Sequence, residues 1–202
     1  MKTVVVGGNS RNIGKTSLAC SLIEATKQLE WTALKITQFG HGICSSSGEA
    51  CGCAIDDPEC PYEITVETGE KPTSDTARML RAGARESLWV RVAMGQLERA
   101  MPAIRARIVG RQHVLIESNS VVEFVEPDVY FSVLNFDEPD FKVSAARLGD
   151  RVDAFVLPTA KNVQPPWPGF DQTLLSQKRS FNVEPPSYCN ADVVKFAADL
   201  LR

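Results

Sequence analysis

Two periods of apolar residues alternate along the chain. Val4, Val5 and Val6 form a short unbroken apolar run that reads as a buried strand, and Leu18, Leu22, Ala25 and Leu29 follow at helical spacing across Ser17 to Glu30. The alternation then repeats. Trp31 to Ile36 reads as a second strand, Glu63 to Thr68 as a short returning strand, and Ser87 to Val92 (SLWVRV) as another. Gln112 to Glu117 (QHVLIE) is a strand ending on a carboxylate, and Val129 to Leu134 and Ala154 to Leu157 add two more. Helices are predicted from Asp75, as N-cap, to Ala84 and along Leu97, Met101, Ile104 and Ile108, where Pro102 must kink or divide the helix. A short helix is predicted around Lys142 to Leu148, and Asn190 caps a last one carrying Val194, Ala197 and Leu201. Strands alternating with helices imply right-handed crossovers, hence an α/β fold with a mainly parallel sheet and helices on both faces. Ligands of such sheets bind at the carboxyl ends of the strands, and Gly8, Thr37 and Glu117 all fall on that edge.

Two stretches escape the pattern. Residues 37–62 form a Gly-, Ser- and Cys-rich insertion, and connections of that length are usually functional or mobile. Residues 158–188 are rich in proline and are expected to run extended over the surface. The Pro165-Pro166-Trp167-Pro168 stretch within them could cover a second subunit, making a homodimer, or pack on its own sheet.

Composition narrows the class. A chain of 202 residues suits one domain, residues 1–202, with a full-sized core. A net charge of -3 gives no electrostatic footprint for nucleic acid or an anionic membrane. No apolar run reaches the about 18 residues of a membrane span. The chain opens on a core strand and not on a signal peptide, so a cytoplasmic protein with reduced cysteines is expected.

The turn between the first strand and helix carries the chemistry. Gly8-Asn9-Ser10-Arg11-Asn12-Ile13-Gly14-Lys15-Thr16, followed by Ser17, reads as a phosphate-binding loop of the P-loop NTPase fold. Backbone N–H groups of such a loop curl around an anion at the positive end of the helix dipole. Lys15 would reach the terminal phosphates of GTP or ATP, and the Thr16 hydroxyl would hold magnesium. The common GxxxxGK(S/T) spacing would place the first glycine at position 9, whereas here it is Gly8.

Other candidates surround this loop. Glu117 sits where phosphate-loop enzymes place a second, magnesium-linked acid, able to hold a metal-bound water; a bare strand-ending acid is the alternative. Lys35, in an otherwise apolar strand, needs a partner or an anion, or else snorkels out. Cys44, Cys51, Cys53 and Cys60 follow the pattern C-x6-C-x-C-x6-C, with His41 close by. Four thiolates could hold zinc or an iron–sulfur cluster, though the paired C-x2-C knuckle is missing and free thiols are the alternative. Leu157 to Asn162 contains no aspartate at the step that reads guanine, so Lys161 and Asn162 are base neighbours by position only.

These residues resemble the molybdopterin-guanine dinucleotide biosynthesis adaptor family, known as protein B of that pathway. The resemblance rests on Gly14-Lys15-Thr16, on Leu34-Lys35, on Asp75-Thr76, Arg78 and Ala82-Gly83-Ala84, and on Leu115-Ile116-Glu117. His41 falls where that family has a histidine-containing loop, while Ser118-Asn119-Ser120 stands where it usually has Gly-Phe. The resemblance implies a parallel-sheet, magnesium-dependent GTP-binding protein with slow hydrolysis, acting as an adaptor for a partner protein in molybdenum cofactor maturation. It also implies a ligand-facing role for Asp75 or Arg78. The chain is similar in its loop spacing to dethiobiotin synthetase, which implies ATP-driven ligation of a small substrate. Nickel-inserting relatives of the same superclass suggest a metallochaperone NTPase with the cysteine loop as its metal site.

Overall fold

The computed structural model describes residues 1–40, 60–70 and 73–201. Among the described residues eight strands form one sheet: β1 (Lys2–Gly8), β2 (Thr32–Phe39), β3 (Tyr62–Val66), β4 (Glu86–Ala93), β5 (His113–Glu117), β6 (Val129–Val133), β7 (Ala154–Pro158) and β8 (Arg179–Val183). Their order is β3-β4-β2-β5-β1-β6-β7-β8, and every neighbouring pair is parallel except the edge pair β3–β4. Six α-helices of the described residues connect or flank them: α1 (Lys15–Ala25), α2 (Asp75–Arg81), α3 (Leu97–Ile108), α4 (Val143–Arg147), α5 (Thr173–Gln177) and α6 (Ala191–Leu200).

Successive strand residues point to opposite faces, and the central strand shows the result directly. Val4 and Val6 pack with Leu18, Leu22 and Ile23 of α1, Met79 of α2 and Val193 of α6. Val5 packs on the other face with Ala100, Met101 and Ile104 of α3 and Leu148. The expected α/β fold with helices on both faces is therefore the observed one. The chain leaves β1 towards β2 and later returns to β6 on the other side of β1. That reversal opens a crevice at the carboxyl end of β1, where a sheet of this kind receives ligands.

Several boundaries differ from the sequence pattern for identifiable reasons. The first helix stops at Ala25 because Thr26 bends away, its hydroxyl donating to the Leu22 carbonyl at 2.5 Å and accepting from Trp31 Nε1 at 2.9 Å. Asp75 is not the N-cap of α2. Ser74 is, accepting the Ala77 N–H at 3.1 Å, and Asp75 becomes the first helical residue, its carboxylate free for other contacts. Pro102 does not divide α3, because the carbonyl it leaves unbonded, Glu98, lies in the exposed first turn.

The proline-rich stretch is not simply extended. It contains α5 and the edge strand β8, which the pattern concealed because four of the five residues of β8 are at least partly exposed. Trp167 turns inward within the chain, 6% exposed, and stacks on Phe141 with ring centroids 4.6 Å apart. Its indole N–H donates to the Glu138 carbonyl at 2.8 Å, so the Pro165–Pro168 stretch packs on the segment after β6.

Candidate functional site: the Gly8 to Thr16 loop with two carboxylates

The loop between β1 and α1 is built from its ends. Gly8 forms the last pair of β1 with Val133 of β6, and a side chain on Gly8 would lie 2.7 Å from the Val133 carbonyl. Asn119 brackets the same residue: its Oδ1 accepts the Gly8 N–H at 2.7 Å and its Nδ2 donates to the Gly8 carbonyl at 2.9 Å. Asn9 and Ser10 are buried and tied to the segment after β6. The Asn135 N–H donates to Asn9 Oδ1 at 2.9 Å, Asn9 Nδ2 donates to the Asp140 carbonyl at 3.0 Å, and Ser10 Oγ donates to Asp140 Oδ2 at 2.7 Å.

The loop then turns through two left-handed residues, Asn12 with φ 54° and Gly14 with φ 103°. Ile13 between them is buried and anchors the turn in the core. Gly14 is the N-cap of α1 and offers no side chain, and the Tyr188 ring fills the space beside it. A cleft of about 350 Å3 lined by Asn182, Val183, Glu184, Ser187, Cys189 and Asn190 adjoins that ring in sequence.

Lys15 curls back so that its ammonium donates to the Ser10 carbonyl across the loop. Burial lowers its pKa to about 8; Glu117 opposes the shift, and Lys142 and Lys35 add to it. Thr16 Oγ1 donates to Glu117 Oε2 at 2.7 Å and is also within hydrogen-bond reach of Asp75.

Glu117 ends β5 and is 4% exposed, so its charge needs partners. Register supplies one, since Lys35 of β2 is its partner on the neighbouring strand and lies on the same face. Lys35 Nζ donates to Glu117 Oε1 at 3.0 Å and also to Asp75 Oδ2. Burial would lower the Lys35 pKa, but the two carboxylates outweigh it and raise it. Burial would likewise raise Asp75, yet Lys35 and Arg78 hold its carboxyl below the usual range. Arg78 joins the helices, donating to Asp75 Oδ1 at 3.2 Å and to Ser17 Oγ at 2.9 Å.

Thr16, Asp75 and Glu117 thus offer one hydroxyl and two carboxylates around a single point, the hard oxygen donors that magnesium takes. Among the described residues no group of three or more His, Cys, Asp or Glu converges to hold a metal. Cys44, Cys51, Cys53 and His41, the expected soft-metal loop, lie outside the described residues. Cys60 is described, and its thiol donates to the Tyr62 carbonyl at 3.0 Å.

Lys161 and Asn162 are directed elsewhere. Their backbone N–H groups donate to the Asp137 carboxylate at 2.8 and 2.9 Å, and Asn162 Nδ2 donates to the Phe136 carbonyl at 3.1 Å, so both pin the segment after β6. Two residues of the site were missed in the sequence: Asn119, visible only as part of a polar Ser118-Asn119-Ser120 stretch, and Lys142, which no local pattern marks.

Fold and site together define an α/β protein with a glycine-flanked strand-to-helix loop, Gly8 to Thr16, at the centre of its sheet. No family model matches the chain, and comparison with curated proteins returns no match. Among solved structures the chain is similar to LpxK from Aquifex aeolicus, in an "apo" form in complex with ATP, at 16% identity and a TM-score of 0.49. The likeness covers 90% of this chain and 53% of that one, so the chain spans about half the length of that structure. Among the described residues no helix is long and apolar enough to cross a membrane.

Proposed function

We propose that the protein binds a nucleoside triphosphate with magnesium in the 8–16 loop and hydrolyses it slowly. The observation that carries this reading is the 2.7 Å contact between Thr16 and the buried Glu117 beside the Lys15 ammonium. Thr16 and Glu117 are the kind of hydroxyl and acid that hold magnesium, and among the described residues Lys15 has no carboxylate within ion-pair distance, so a phosphate there would neutralise it. Thr16 and Glu117, with Asp75, would hold magnesium, which when bound neutralises charge on the β- and γ-phosphates. Lys15 and the loop N–H groups would hold the phosphates themselves, and Lys35 would keep both carboxylates ionised and oriented. The base would lie in the cleft of residues 182–190 beside Tyr188, which adjoins the N-terminus of α1.

The base is read as guanine and the role as an adaptor in molybdenum cofactor maturation on the resemblance of Asp75 to Ala84 and of Leu115 to Glu117. A thermal-shift series with GTP, ATP and their diphosphates plus magnesium, on the parent and on Lys15→Ala, tests the nucleotide reading. Stabilisation of the parent, strongest with GTP and abolished in Lys15→Ala, supports it; no shift with any nucleotide overturns it.

One observation favours a second reading, the small-substrate ligase. A cavity of about 220 Å3 lies directly beside the carboxylate pair, lined by Lys35, Thr37, Ser74, Asp75, Thr76 and Trp89. It is smaller than the roughly 300 Å3 of a typical ligand pocket, and the indole N–H of its Trp89 wall donates to Thr37 Oγ1 at 3.1 Å. Nucleotide turnover stimulated by a small organic amine or acid would support the ligase; a flat panel would leave the adaptor reading alone.

A further inference from the structure

The segment between β6 and α4 brings one more ammonium to this crevice. Lys142 is the residue before α4, and its backbone N–H donates to the Asn9 carbonyl of the phosphate loop at 2.8 Å. The stretch leading to it is laced to the same loop through Asn135, Asp140, Asn9 and Ser10. It is also braced from outside, because Phe141, the immediate neighbour of Lys142, lies flat against the buried Trp167. Lys142 is therefore held in place by two layers of contacts that have no need of its side chain.

That side chain is half-buried, and its charge interacts with Arg11, Asp140, Lys35 and Glu117. Lys15 in turn interacts with Lys142. Arg11 belongs to the loop and Glu117 to the strand end beside it, where the terminal phosphate and its metal would sit. The ordinary alternative is a surface lysine neutralised by a carboxylate. Against it, among the described residues Lys142 forms no ion pair, and the nearby Asp140 is already bonded to Ser10. Lys35 differs, being committed to both Asp75 and Glu117. Among the described residues, then, neither Lys15 nor Lys142 has a carboxylate within ion-pair distance. Like charges gathered in a half-dry pocket repel, and a polyphosphate relieves that repulsion.

We propose that Lys142 is a second phosphate-holding ammonium, delivered by the chain itself from the segment after β6, which engages the terminal phosphate of a triphosphate held in the 8–16 loop. The inference rests on the nucleotide reading and deepens it. It makes the segment 135–142 the part of the molecule that distinguishes a triphosphate from a diphosphate. Loss of the terminal phosphate removes the partner of Lys142 while the loop amides keep theirs. A charge placed in advance where phosphoryl oxygens gather negative charge also speeds their transfer.

Calorimetric titration with magnesium GTP, ATP, GDP and ADP, on the parent, Lys142→Gln and Lys142→Arg, tests it. Lys142→Gln removes the charge, is one atom shorter, and keeps the backbone N–H bond to Asn9. The expected result is a triphosphate affinity about tenfold weaker with diphosphate affinity unchanged within about twofold, the loss expected of one charged hydrogen bond, and largely recovered in Lys142→Arg. Equal losses for both nucleotides, or none, would overturn the role of Lys142. So would a fall confined to the melting temperature, which a merely structural lysine would give. A parent that binds no nucleotide overturns the nucleotide reading itself, a different outcome seen before any variant is made.

Discussion

The Thr16 hydroxyl donates to Glu117 Oε2 at 2.7 Å although the two residues close different elements, the first turn of α1 and the last residue of β5. The contact exists because β1 and β5 are paired in parallel with Val6 opposite Glu117, which sets both carboxyl ends at one level. On the proposed reading, Glu117 acts on the magnesium that Thr16 would hold. Glu117→Gln preserves size and burial but removes the charge. Single-turnover assays should show GTP or ATP hydrolysis lowered by about 10²- to 10³-fold, the usual cost of losing one preorganised charge-stabilising group. Triphosphate affinity should change far less. Unchanged turnover would leave Glu117 as a structural partner of Lys35.

Gly14 and Tyr188 make a second such pair. A Cβ on Gly14 would lie 1.8 Å from a Tyr188 ring carbon, and the residue holds φ at 103°. Gly14→Ala therefore meets both a clash and a strained backbone, at a cost of about 1–3 kcal/mol for the strain alone. Urea denaturation should show the loss, and adding Tyr188→Ala should restore only the part due to the clash. Full restoration would mean that the left-handed turn is not required.

Tyr188→Ala by itself distinguishes the base from the phosphates. Ser187 and Cys189, on either side of Tyr188, line the 182–190 cleft, and with the base there removal of the ring should weaken GTP or ATP by about tenfold, the scale of one lost base–aromatic contact. Inorganic tripolyphosphate, which has no base, should bind the variant as well as it binds the parent. Competition titrations of the three ligands on both proteins read this out. Equal weakening of all three would place Tyr188 in support of the loop alone.

How legible this site was depends on the range of the interactions that form it. The loop from Gly8 to Thr16 could be read because strand, turn and helix are consecutive, so spacing alone carries the geometry. Glu117 could be read because an acid ending an apolar strand is a local pattern. Lys35 was ambiguous for a physical reason: one strand does not say which strand lies beside it, and the pairing with β5 is what gives it Glu117. Asn119 and Lys142 were invisible because their roles exist only once β1 lies between β5 and β6. The strand β8 hid for the opposite reason, being a mostly exposed edge with little apolar signal to read.

Asn119 supplies a test of that long-range support. It both accepts from and donates to the backbone of Gly8, at 2.7 and 2.9 Å. Asn119→Asp can still accept the N–H but sets a carboxylate against the Gly8 carbonyl. Asn119→Ala leaves both groups without a partner, which costs about 1–3 kcal/mol for a buried polar group. Both variants should be less stable in urea. Asp should in addition weaken triphosphate binding more than Ala does, because its charge opposes the phosphates. The reverse order of affinities would show that Asn119 shapes the loop only by filling space.

The thiols Cys20 and Cys189 carry a prediction in pH. Burial pushes both up to about 11, from an ordinary value near 9. A raised value favours the neutral thiol in the folded state. The stability these groups contribute is therefore complete below pH 9, falls as the unfolded thiols begin to ionise, and is lost as pH rises through about 11. The thiolate is the reactive form. Alkylation by iodoacetamide, followed peptide by peptide in a mass spectrometer, should stay slow at both positions to about pH 10. It should then rise steeply in the native protein. In urea the same two peptides should react with a midpoint near pH 9, and a native midpoint equally low would mean that neither thiol is shielded by the fold.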